Sequence, residues 1–451
     1  MINAQSDFIS IAKRWLEIDN TLAHQQLLQT WIDTDNQEKL REHFGARLQF
    51  GTAGLRGTVG PGTNCMNRGM VQQTSLGIAK YVNKQDLPKK VVIGFDARID
   101  SKQFAQDTAD VFHTEGFEVL LFDRSAATPL IAFAVLNLQC TVGIVITASH
   151  NPAPDNGYKV YWQNGAQIIP PIDTGIAKCI EELSAQVVWK SHCSGIPHSA
   201  PPIEVIDTYF AEIQALRQTK YTGTHLVYTP MHGVGGWAVE RALQAAGHTW
   251  TIVPEQAEPD GTFPTTQFPN PEEAGALDCA VQTATQVGAD AILANDPDAD
   301  RLAVCLPTQA GWQRLTGDQV GLLFAHYLGE SGALSTNALL ANTIVSSSQL
   351  RSIAHQFGVH YTQTLTGFKW LANAGMAHHA KYGAPLALGY EEALGYSIGG
   401  LVQDKDGVSA VLLMADMIAY YQTEQQTLWD VLSRIALQHG LGLSSQHSIK
   451  K

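Results

Sequence analysis

The sequence predicts an α/β fold of three tandem domains, each with a mixed, mostly parallel sheet. The first observation behind this prediction is a strand–helix–strand–helix–strand order that occurs three times. The second is that the last strand of each copy runs into a polar loop, which contains Ser149, Asp296 or Glu391. Connections of the β-α-β type place helices over parallel strands. A chain of 451 residues that is 45% apolar is long enough for about three such domains.

Apolar runs and helical periodicity define the three copies. The first copy is predicted to contain, in order, residues 91–95, 101–115, 117–122, 129–138 and 141–147. The second is predicted to contain residues 225–229, 236–246, 249–253, 272–287 and 290–295. The third is predicted to contain residues 338–346, 348–357, 360–363, 368–379 and 385–389. Open α/β sheets bind ligands outside the carboxyl ends of their strands, so the three polar loops are predicted to lie at ligand-binding edges.

The domain boundaries follow from the same patterns. Residues 1–48 are predicted to form an N-terminal helical extension, because four apolar residues have the spacing of one buried helix face: Phe8, Ile11, Trp15 and Ile18. The α/β domains are predicted at residues 49–202, 203–318 and 319–445. The Pro-rich segment 196–202 marks the first linker.

The second polar loop carries three carboxylates at alternating positions, those of Asp296, Asp298 and Asp300. Oxygen ligands in this spacing suit a hard cation such as Mg²⁺ or Ca²⁺. An EF-hand begins with the same spacing, but it needs Gly and Glu where this chain has Arg301 and Pro307. A solvated acidic loop is the alternative, yet three acids at the end of a buried strand repel one another unless a cation lies among them.

The first polar loop, residues 147–152, has the sequence Thr-Ala-Ser-His-Asn-Pro and predicts an exposed hydroxyl on a sharp turn. Ser149 lacks the flanking glycines of a nucleophile elbow. His150 is not expected to act as its base, because adjacent side chains in a turn rarely point at each other. A plain turn serine is the alternative for Ser149 alone. The acidic loop favours a phosphorylated serine, because a magnesium site built of carboxylates needs a phosphate oxygen to complete its shell.

Six segments in order resemble those of the α-D-phosphohexomutase superfamily. Residues 147–152, 296–301 and 389–395 resemble its phosphoserine, metal and sugar-recognition loops. Residues 50–58, with the sequence Phe-Gly-Thr-Ala-Gly-Leu-Arg-Gly-Thr, match as well. Residues 50–58, 368–370 and 404–407 resemble the branch of this superfamily that contains phosphoglucomutase-2 and phosphopentomutase. The resemblance implies three domains of one fold around a central cleft.

The resemblance also implies five catalytic residues: Ser149, Arg56, His150, Lys159 and Arg301. Ser149 is implied to carry the phosphoryl group and to complete one Mg²⁺ site with the three aspartates. Lys159 and Arg56 are implied to act as acid–base and charge-stabilising groups. One Mg²⁺ cannot cancel three carboxylates and a phosphoserine of about −1.5 to −2, so further cations must line the site. An activator of the glucose 1,6-bisphosphate type is expected.

Six residues are predicted to bind the substrate: Thr366, Gly367, Lys369, Glu391, Glu392 and Lys405. The two glutamates can accept hydrogen bonds from sugar hydroxyls. Hexose-specific relatives carry a serine where this chain has Ala393, which leaves pentose phosphates open. The expected activity moves a phosphoryl group between the 1- and 6-positions of a hexose. Phosphoglucomutase comes first, with phosphopentomutase or phosphomannomutase as alternatives.

Two other classes of protein remain as alternatives. Residues 233–238 fit the Gly-x-Gly-x-x-Gly/Ala pattern of a dinucleotide-binding oxidoreductase, with Glu255 about 20 residues further on. A tight turn explains these glycines equally, and neither polar loop has a role in hydride transfer. The other alternative is a non-catalytic sugar-phosphate-binding protein, since the phosphate-binding loop of a fourth domain is not found before Lys451. We expect either a trimmed form or a gene product that lacks this domain, with Arg56, Lys159 and Arg301 exposed.

Composition indicates small-molecule partners. The net charge of −13 disfavours nucleic acid and anionic membranes. No segment approaches the ~20 apolar residues of a membrane span, and the start of the chain has no signal-peptide pattern. The 6 cysteines form no Cys-x-x-Cys pair, so neither a zinc site nor a disulfide scaffold is expected. These features predict a cytoplasmic monomer or homodimer that binds sugar phosphates.

Overall fold

The computed structural model describes residues 8–18, 21–51, 54–184, 196–218 and 222–442. The chain divides into two compact units. Unit 1 consists of Met1–Ala126, Ala134–Gln163 and Gln167–Pro201, and unit 2 consists of Ala127–Phe133, Asn164–Ala166 and Pro202–Lys451. The Ser149 loop lies in unit 1, whereas the Asp296 and Glu391 loops lie in unit 2.

The first part of the chain contains the N-terminal helices and the first sheet. Its elements are α1 Phe8–Ile18, α2 Leu22–Asp33, α3 Gln37–Phe44, β1 Leu55–Thr58, α4 Arg68–Lys84, β2 Lys90–Phe95, α5 Ser101–Thr114, β3 Glu118–Leu121, α6 Thr128–Asn137, β4 Val142–Ile146, β5 Asp155–Trp162 and α7 Ile172–Ser184. Short apolar strands alternate with amphipathic helices, as the periodicity predicts.

The second part of the chain contains two further sheets. The elements of the middle sheet are α8 Ile203–Ala215, β6 His225–Thr229, α9 Gly236–Ala246, β7 Thr249–Ile252, a 3₁₀ helix Pro254–Gln256, α10 Asp278–Val287, β8 Ala291–Ala294, β9 Ala303–Thr308 and β10 Gly311–Arg314. Those of the last sheet are α11 Gly317–Glu330, β11 Leu339–Thr343, α12 Gln349–Gln356, β12 His360–Thr364, α13 Phe368–Tyr382, β13 Leu386–Glu391, β14 Gly395–Ile398, α14 Gly407–Thr423 and α15 Leu428–His439.

Each sheet has three parallel strands that come from one sequence copy. The sheet orders are β1-β5-β4-β2-β3, β10-β9-β8-β6-β7 and β12-β11-β13-β14. In each, the first strand of the copy lies between the other two and is parallel to both. An antiparallel strand outside the repeat then pairs with the last strand of the copy, as β5 does with β4, β9 with β8 and β14 with β13. The predicted α/β class with mixed sheets is confirmed.

The three polar loops occupy equivalent places in the three sheets. Residues 147–154 connect β4 to β5, residues 295–302 connect β8 to β9, and residues 392–394 connect β13 to β14. Glu391, predicted to lie in the third loop, is instead the last residue of β13, because its pairing with Gly395 of β14 continues the sheet to this position. Each loop therefore starts at the carboxyl end of a parallel strand and turns back into an antiparallel neighbour. Each polar loop therefore lies at the edge of its sheet where a ligand-binding site is predicted.

The core of unit 1 lies between the first sheet and helices α4, α5 and α7. Strand residues such as Val91, Ile93 and Ile144 pack there with Phe104 and Phe112 of α5, all of them buried. The N-terminal helices have a smaller core of their own, in which Trp15 packs edge-on against Phe44 at 5.8 Å. Phe8 and Ile11 are half-buried against this cluster, as their spacing predicts. The side chain of Ile18 lies outside the described residues.

Several predicted bounds shift by one to three residues, and two of the differences have a visible backbone cause or a large size. The helix expected over residues 272–287 begins only at Asp278, because Gly275 adopts a φ of +82° in the turn before it, which a helix cannot accommodate. The strand expected to reach residue 346 ends at Thr343. A turn bond from the Ser346 N–H to the Thr343 carbonyl, at 3.0 Å, ends this strand.

Candidate active site

Ser149 lies in the connection from β4 to β5 and has a left-handed backbone. Its φ is +55°, and its N–H donates to Thr147 Oγ1 at 2.9 Å. Left-handed backbone in a residue other than glycine is uncommon and tends to mark functional loops. Ser149 is only 1% exposed. The prediction of an exposed hydroxyl is therefore wrong, because the loop folds back on the polar groups that follow β2.

His150 was expected not to reach the hydroxyl of Ser149, and this expectation is wrong. The distance between Ser149 Oγ and His150 Nδ1 is 3.2 Å, within hydrogen-bonding range. The left-handed φ of Ser149 turns the chain so that the two consecutive side chains lie on one side of the loop. The imidazole can therefore exchange a proton with this hydroxyl directly.

The backbone of this loop is bound by Arg98, a residue that no motif in the sequence had indicated. Its guanidinium donates to the backbone carbonyls of Ser149 and Asn151 at 2.7 and 2.5 Å. It also donates to the carbonyls of Pro152 and Asp155 at 2.8 and 2.9 Å. The available signal was an Asp-x-Arg sequence, residues 96–98, directly after the buried strand β2.

Arg56 and Lys159 lie on two neighbouring antiparallel strands of the first sheet. Arg56 is on β1, opposite Gly157 of β5, and it is half-buried. Gly54, directly before β1, has a φ of +86°, and a Cβ there would lie 1.8 Å from the Tyr158 carbonyl oxygen. This position therefore requires glycine. The residue pattern of 51–57 thus lets β1 approach β5 closely.

The prediction of three solvent-exposed cations is wrong. Lys159 is 1% exposed, since it belongs to β5, an interior strand of the sheet that is almost entirely buried. The side chain of Arg301 is 16% exposed, and Arg56 is half-buried. Cations in these positions are partly removed from water, so their charges act more strongly on an anionic ligand than surface cations do.

The three aspartates of the second loop converge. Asp296, Asp298 and Asp300 are buried, and each offers a carboxylate oxygen within 4.8 Å of the others. Burial and the carboxylates of Asp298 and Asp300 raise the pKa of Asp296 well above its usual range. Ala299 between the ligands has a φ of +57°, which curls the loop. A bound cation relieves this repulsion, so the site fits a divalent, oxygen-preferring metal.

This loop is held by two residues that no sequence motif had indicated, Thr128 and Asn295. Thr128, the first residue of α6, donates from Oγ1 to Asp298 Oδ2 at 2.7 Å and from its N–H to the Asp298 carbonyl at 2.9 Å. Asn295 accepts a hydrogen bond from the Tyr228 hydroxyl at 2.8 Å and donates to the carbonyl of Arg301 at 2.5 Å. The only sequence signal for Thr128 was a Thr-Pro pair of the kind that starts a helix. The only signal for Asn295 was its position directly before the acidic motif.

Arg301 and Lys405 supply positive charge beside the triad. Arg301 Nε lies 3.9 Å from carboxylate oxygens of Asp296 and Asp300. Lys405 Nζ lies 3.2 Å from Asp300 Oδ2 and 3.1 Å from Asp404 Oδ1. Burial lowers the pKa of Lys405, but Asp300 and Asp404 outweigh it and raise the pKa above its ordinary value. Both cations are therefore charged at neutral pH.

Glu391 connects this charged cluster to the third loop. Its Oε1 accepts a hydrogen bond from the Gly367 N–H at 2.8 Å, and the φ of Gly367 is +109°. Burial raises the pKa of Glu391, and the Lys405 ammonium acts most strongly against that rise. Arg301 reaches the same loop, because its Nη1 donates to the Ala393 carbonyl at 2.7 Å. The metal loop and the predicted sugar loop therefore form one polar surface.

The other predicted substrate residues differ in their surroundings. Glu392 Oε2 accepts from Ser346 Oγ at 2.9 Å and from Thr343 Oγ1 at 3.2 Å, so this carboxylate is held by its own sheet. Lys369 is buried, with Nζ 5.5 Å from the Trp370 ring centroid. Thr366 is exposed at the start of the same turn. Glu391 is thus the glutamate of this pair that lies with the cations of the site.

The glycine-rich turn of residues 233–238 packs on the metal loop. A Cβ on Gly233 would lie 2.4 Å from the Pro297 Cα, and the Val234 N–H donates to the Pro297 carbonyl at 2.9 Å. The close approach of two loop backbones explains why glycine stands there. The glycines thus have a structural reason that involves no dinucleotide.

Comparison with known proteins identifies the family. Models of the α/β/α domains I, II and III of phosphoglucomutase/phosphomannomutase match residues 47–187, 207–309 and 316–436. The chain belongs to this family. It is therefore a phosphohexomutase-family mutase, and the resemblance seen in its motifs is confirmed. In the described residues, no fourth α/β domain accompanies these three.

Individual relatives agree with this placement. A probable phosphoribomutase of Schizosaccharomyces pombe is 37% identical over 95% of this chain and 76% of its own length. A human phosphopentomutase is 38% identical over 97% of this chain and 77% of its own length. The crystal structure of a putative phosphomannomutase from Thermus thermophilus aligns with a TM-score of 0.74, covering 88% of this chain and 85% of that one, at 21% identity. That structural likeness establishes the fold.

No helix within the described residues is both long and apolar enough to cross a membrane. The convergence of all three loops on one central cleft stays a prediction, as does the part of Ser149 in the metal site.

Proposed function

We propose that this mutase moves a phosphoryl group between two positions of a sugar phosphate through a phosphorylated Ser149 and a sugar bisphosphate. The observation that carries the proposal is the buried triad of Asp296, Asp298 and Asp300 within 4.8 Å of one another. A triad of this kind suits a divalent metal that assists phosphoryl transfer. The Ser149 hydroxyl, with its Oγ 3.2 Å from His150 Nδ1, suits a group that accepts and returns the phosphoryl.

The transfer exchanges one phosphorus–oxygen bond for another. The free hydroxyl of the sugar attacks the phosphorus of phosphoserine 149, the bond to Ser149 Oγ breaks, and a sugar bisphosphate forms. A base takes the proton of the attacking hydroxyl, and we assign this role to Lys159 with Arg56 as the charge stabiliser. His150 gives a proton to Ser149 Oγ when the bond to that oxygen breaks. The bisphosphate then turns over, and Ser149 Oγ attacks the phosphorus of its other phosphate and returns its proton to His150. The bond from this phosphorus to the sugar oxygen breaks, and Lys159 gives that oxygen the proton that it took in the first transfer. An added sugar 1,6-bisphosphate supplies the same intermediate and would act as activator.

The three aspartates would hold one Mg²⁺, whose charge stabilises the oxygens of the transferring phosphoryl group when it is bound. Arg301 lies 3.9 Å from two of these carboxylates and carries its own charge into the same surface. Together they offset the negative charge that a phosphoserine and a second phosphate bring.

Pentose phosphates are the substrates that we place first, with ribose 1-phosphate and ribose 5-phosphate as the pair. Ala393 offers a methyl group where hexose-specific relatives offer a serine hydroxyl, and its carbonyl already accepts from Arg301. Glu392 is held by Ser346, which leaves Glu391 to accept hydrogen bonds from the sugar. The relatives named phosphoribomutase and phosphopentomutase support this choice. The second candidate is a hexose phosphate: that of glucose, which the sequence analysis places first, or that of mannose, which is one of its alternatives.

A comparison of substrates tests both the mutase activity and the choice of sugar. The rate of conversion is measured on one preparation, with Mg²⁺ and a sugar bisphosphate, for three substrates: ribose 1-phosphate, glucose 1-phosphate and mannose 1-phosphate. We expect the highest kcat/KM with ribose 1-phosphate. The Ala393→Ser variant should raise the hexose-to-pentose ratio of kcat/KM about 2- to 10-fold, the effect of one added hydrogen bond. A preference of the wild type for glucose 1-phosphate would move the assignment to hexoses.

Mass spectrometry of the intact protein separates the enzyme from a mere binding protein. After incubation with the sugar bisphosphate, the wild type should gain one phosphate on Ser149. A protein that binds the sugar phosphates, gains no phosphate and converts none of them would be a non-catalytic binding protein, and the mutase proposal would be discarded.

A further inference from the structure

Arg98 lies beneath the Ser149 loop and binds its backbone from within unit 1. One side chain reaches four carbonyl oxygens, those of Ser149, Asn151, Pro152 and Asp155, at 2.5 to 2.9 Å. The side chain is 1% exposed. Because the four carbonyls span the connection from one end to the other, the path of the whole β4–β5 connection depends on this guanidinium.

The guanidinium is itself fixed by Asp96. Asp96 Oδ2 lies 3.4 Å from Arg98 Nε, and Asp96 Oδ1 accepts from the Arg98 N–H at 3.0 Å and from Ser101 Oγ at 2.6 Å. Ser101 in turn accepts from Asn156 Nδ2 at 3.0 Å. A continuous chain of buried polar contacts thus joins the end of β2, the start of α5 and the start of β5.

Only arginine can make this set of contacts. Buried carbonyls need donors, since an orphaned one loses the free energy of its hydrogen bond to water. A guanidinium presents five N–H groups in one plane, whereas an ammonium presents three on a flexible stem. The left-handed φ of Ser149 costs on the order of 1–3 kcal/mol and persists only where the surroundings determine it. The bond from Arg98 to the Ser149 carbonyl is such a constraint.

We propose that Arg98 is a positioning residue that holds Ser149 in the conformation in which its hydroxyl accepts and returns the phosphoryl group. This inference rests on the proposed role of Ser149 as phosphoryl carrier. The role is one of positioning, because the hydrogen bonds that carry the argument join the Arg98 guanidinium to backbone carbonyls of the loop. Arg98 keeps the Ser149 hydroxyl in place before the substrate binds. This matters because a displacement of a reacting group by about 1 Å can lower the rate substantially.

The Arg98→Lys variant of the full chain tests the proposal, with Arg68→Lys as the matched control. Arg68 is a guanidinium of the same unit, paired with Asp107 at 2.7 and 2.9 Å and remote from the loop in sequence. In Arg98→Lys, amide hydrogen exchange of residues 147–157 should rise about tenfold or more, while β2 and the parallel strand β3 keep wild-type exchange. The kcat should fall about 10²-fold with KM unchanged. Arg68→Lys should alter neither quantity.

Chemical rescue distinguishes positioning from general stability. In Arg98→Ala, added guanidinium ion should restore part of kcat and of the loop protection, whereas methylammonium, with the same charge and the wrong geometry, should restore neither. Three results would each overturn the proposal. The first is a wild-type exchange rate of the loop amides in Arg98→Lys, and the second is a fall of kcat in Arg68→Lys as large as that in Arg98→Lys. The third is a loss of amide protection throughout unit 1 in both Arg98 variants.

The two proposals fail in different ways. If the wild type takes no phosphate on Ser149 from a sugar bisphosphate, the mutase mechanism fails, and the inference that Arg98 serves phosphoryl transfer falls with it. If the wild type is phosphorylated and active but Arg98→Lys has wild-type kcat, only the inference about Arg98 fails.

Discussion

Ser149 combines a buried hydroxyl, a left-handed backbone and an adjacent imidazole. Its φ of +55° places Oγ 3.2 Å from His150 Nδ1, so two neighbours in sequence become a hydrogen-bonded pair. Ser149 is only 1% exposed, but its side chain is small. Arg98 holds it through a hydrogen bond to its backbone carbonyl. Removing the hydroxyl therefore affects the chemistry far more than the packing.

Ser149→Ala should lower turnover by about four orders of magnitude or more, because the proposed mechanism passes every phosphoryl group through the Ser149 hydroxyl. The unfolding temperature should change little, since alanine at this φ bears the same backbone strain as serine. Coupled mutase assays and calorimetry check the two parts. A variant that keeps the wild-type rate would show that Ser149 is not the phosphoryl carrier.

Glu391 and Glu392 are adjacent in sequence but have different partners. Glu391→Gln should reduce kcat/KM for the sugar phosphate with little loss of stability, because Glu391 lies with Lys405 and Arg301. Glu392→Gln should instead destabilise the fold by about 1–3 kcal/mol, because it weakens charged hydrogen bonds from Ser346 and Thr343. Steady-state kinetics and urea unfolding of both variants are compared. The reverse pattern would assign sugar recognition to Glu392.

At the scale of elements, the three polar loops share one construction. Each leaves the last parallel strand of its sheet and returns as an antiparallel strand. Each also contains one residue other than glycine with a left-handed backbone: Ser149, Ala299 and Leu394, at φ of +55°, +57° and +64°. Backbone strain of this kind is retained where the surrounding elements fix the loop. The helix α6 fixes the metal loop, and Arg98 fixes the serine loop.

Thr128→Val should weaken Mg²⁺ binding about 10- to 100-fold, because the hydroxyl at the start of α6 orients the Asp298 carboxylate. Isothermal titration with Mg²⁺, or with Mn²⁺ followed by electron paramagnetic resonance, measures this without an activity assay. Thr128→Ser keeps the hydroxyl and should retain most of the affinity. Thr229→Val is the control, because Thr229 is equally buried but its hydroxyl binds Gln256 instead. Equal affinity in Thr128→Val and the wild type would exclude this role.

For the whole molecule, metal should control both activity and stability. Excess chelator should silence the enzyme, and Mg²⁺ should restore it. Saturating Mg²⁺, at about 100 times its Kd, should stabilise the fold by about 2.7 kcal/mol, since the cation relieves the repulsion among three buried carboxylates. Asp298→Asn should greatly weaken metal binding and abolish this stabilisation. Undiminished activity in excess chelator would contradict the metal assignment.

Hydrophobic patterning and short motifs along the chain predicted the three α/β copies and the candidate functional loops. The predicted β6 and α9 have the observed bounds, His225–Thr229 and Gly236–Ala246. Hydrophobic periodicity and glycine positions are local properties of the chain, so they survive into the fold. The acidic and serine loops were recognisable for the same reason, because each places its functional groups within a few consecutive residues.

The distant residues that hold those loops became apparent only from the folded chain. Arg98 is more than 50 residues from the carbonyls that it binds, and Thr128 is 170 residues from Asp298. The burial of Lys159 and the capture of Glu392 by Ser346 likewise depend on neighbouring strands and loops. Such contacts leave no periodic trace in the sequence, because they join single side chains across segments that only the folded sheets bring together.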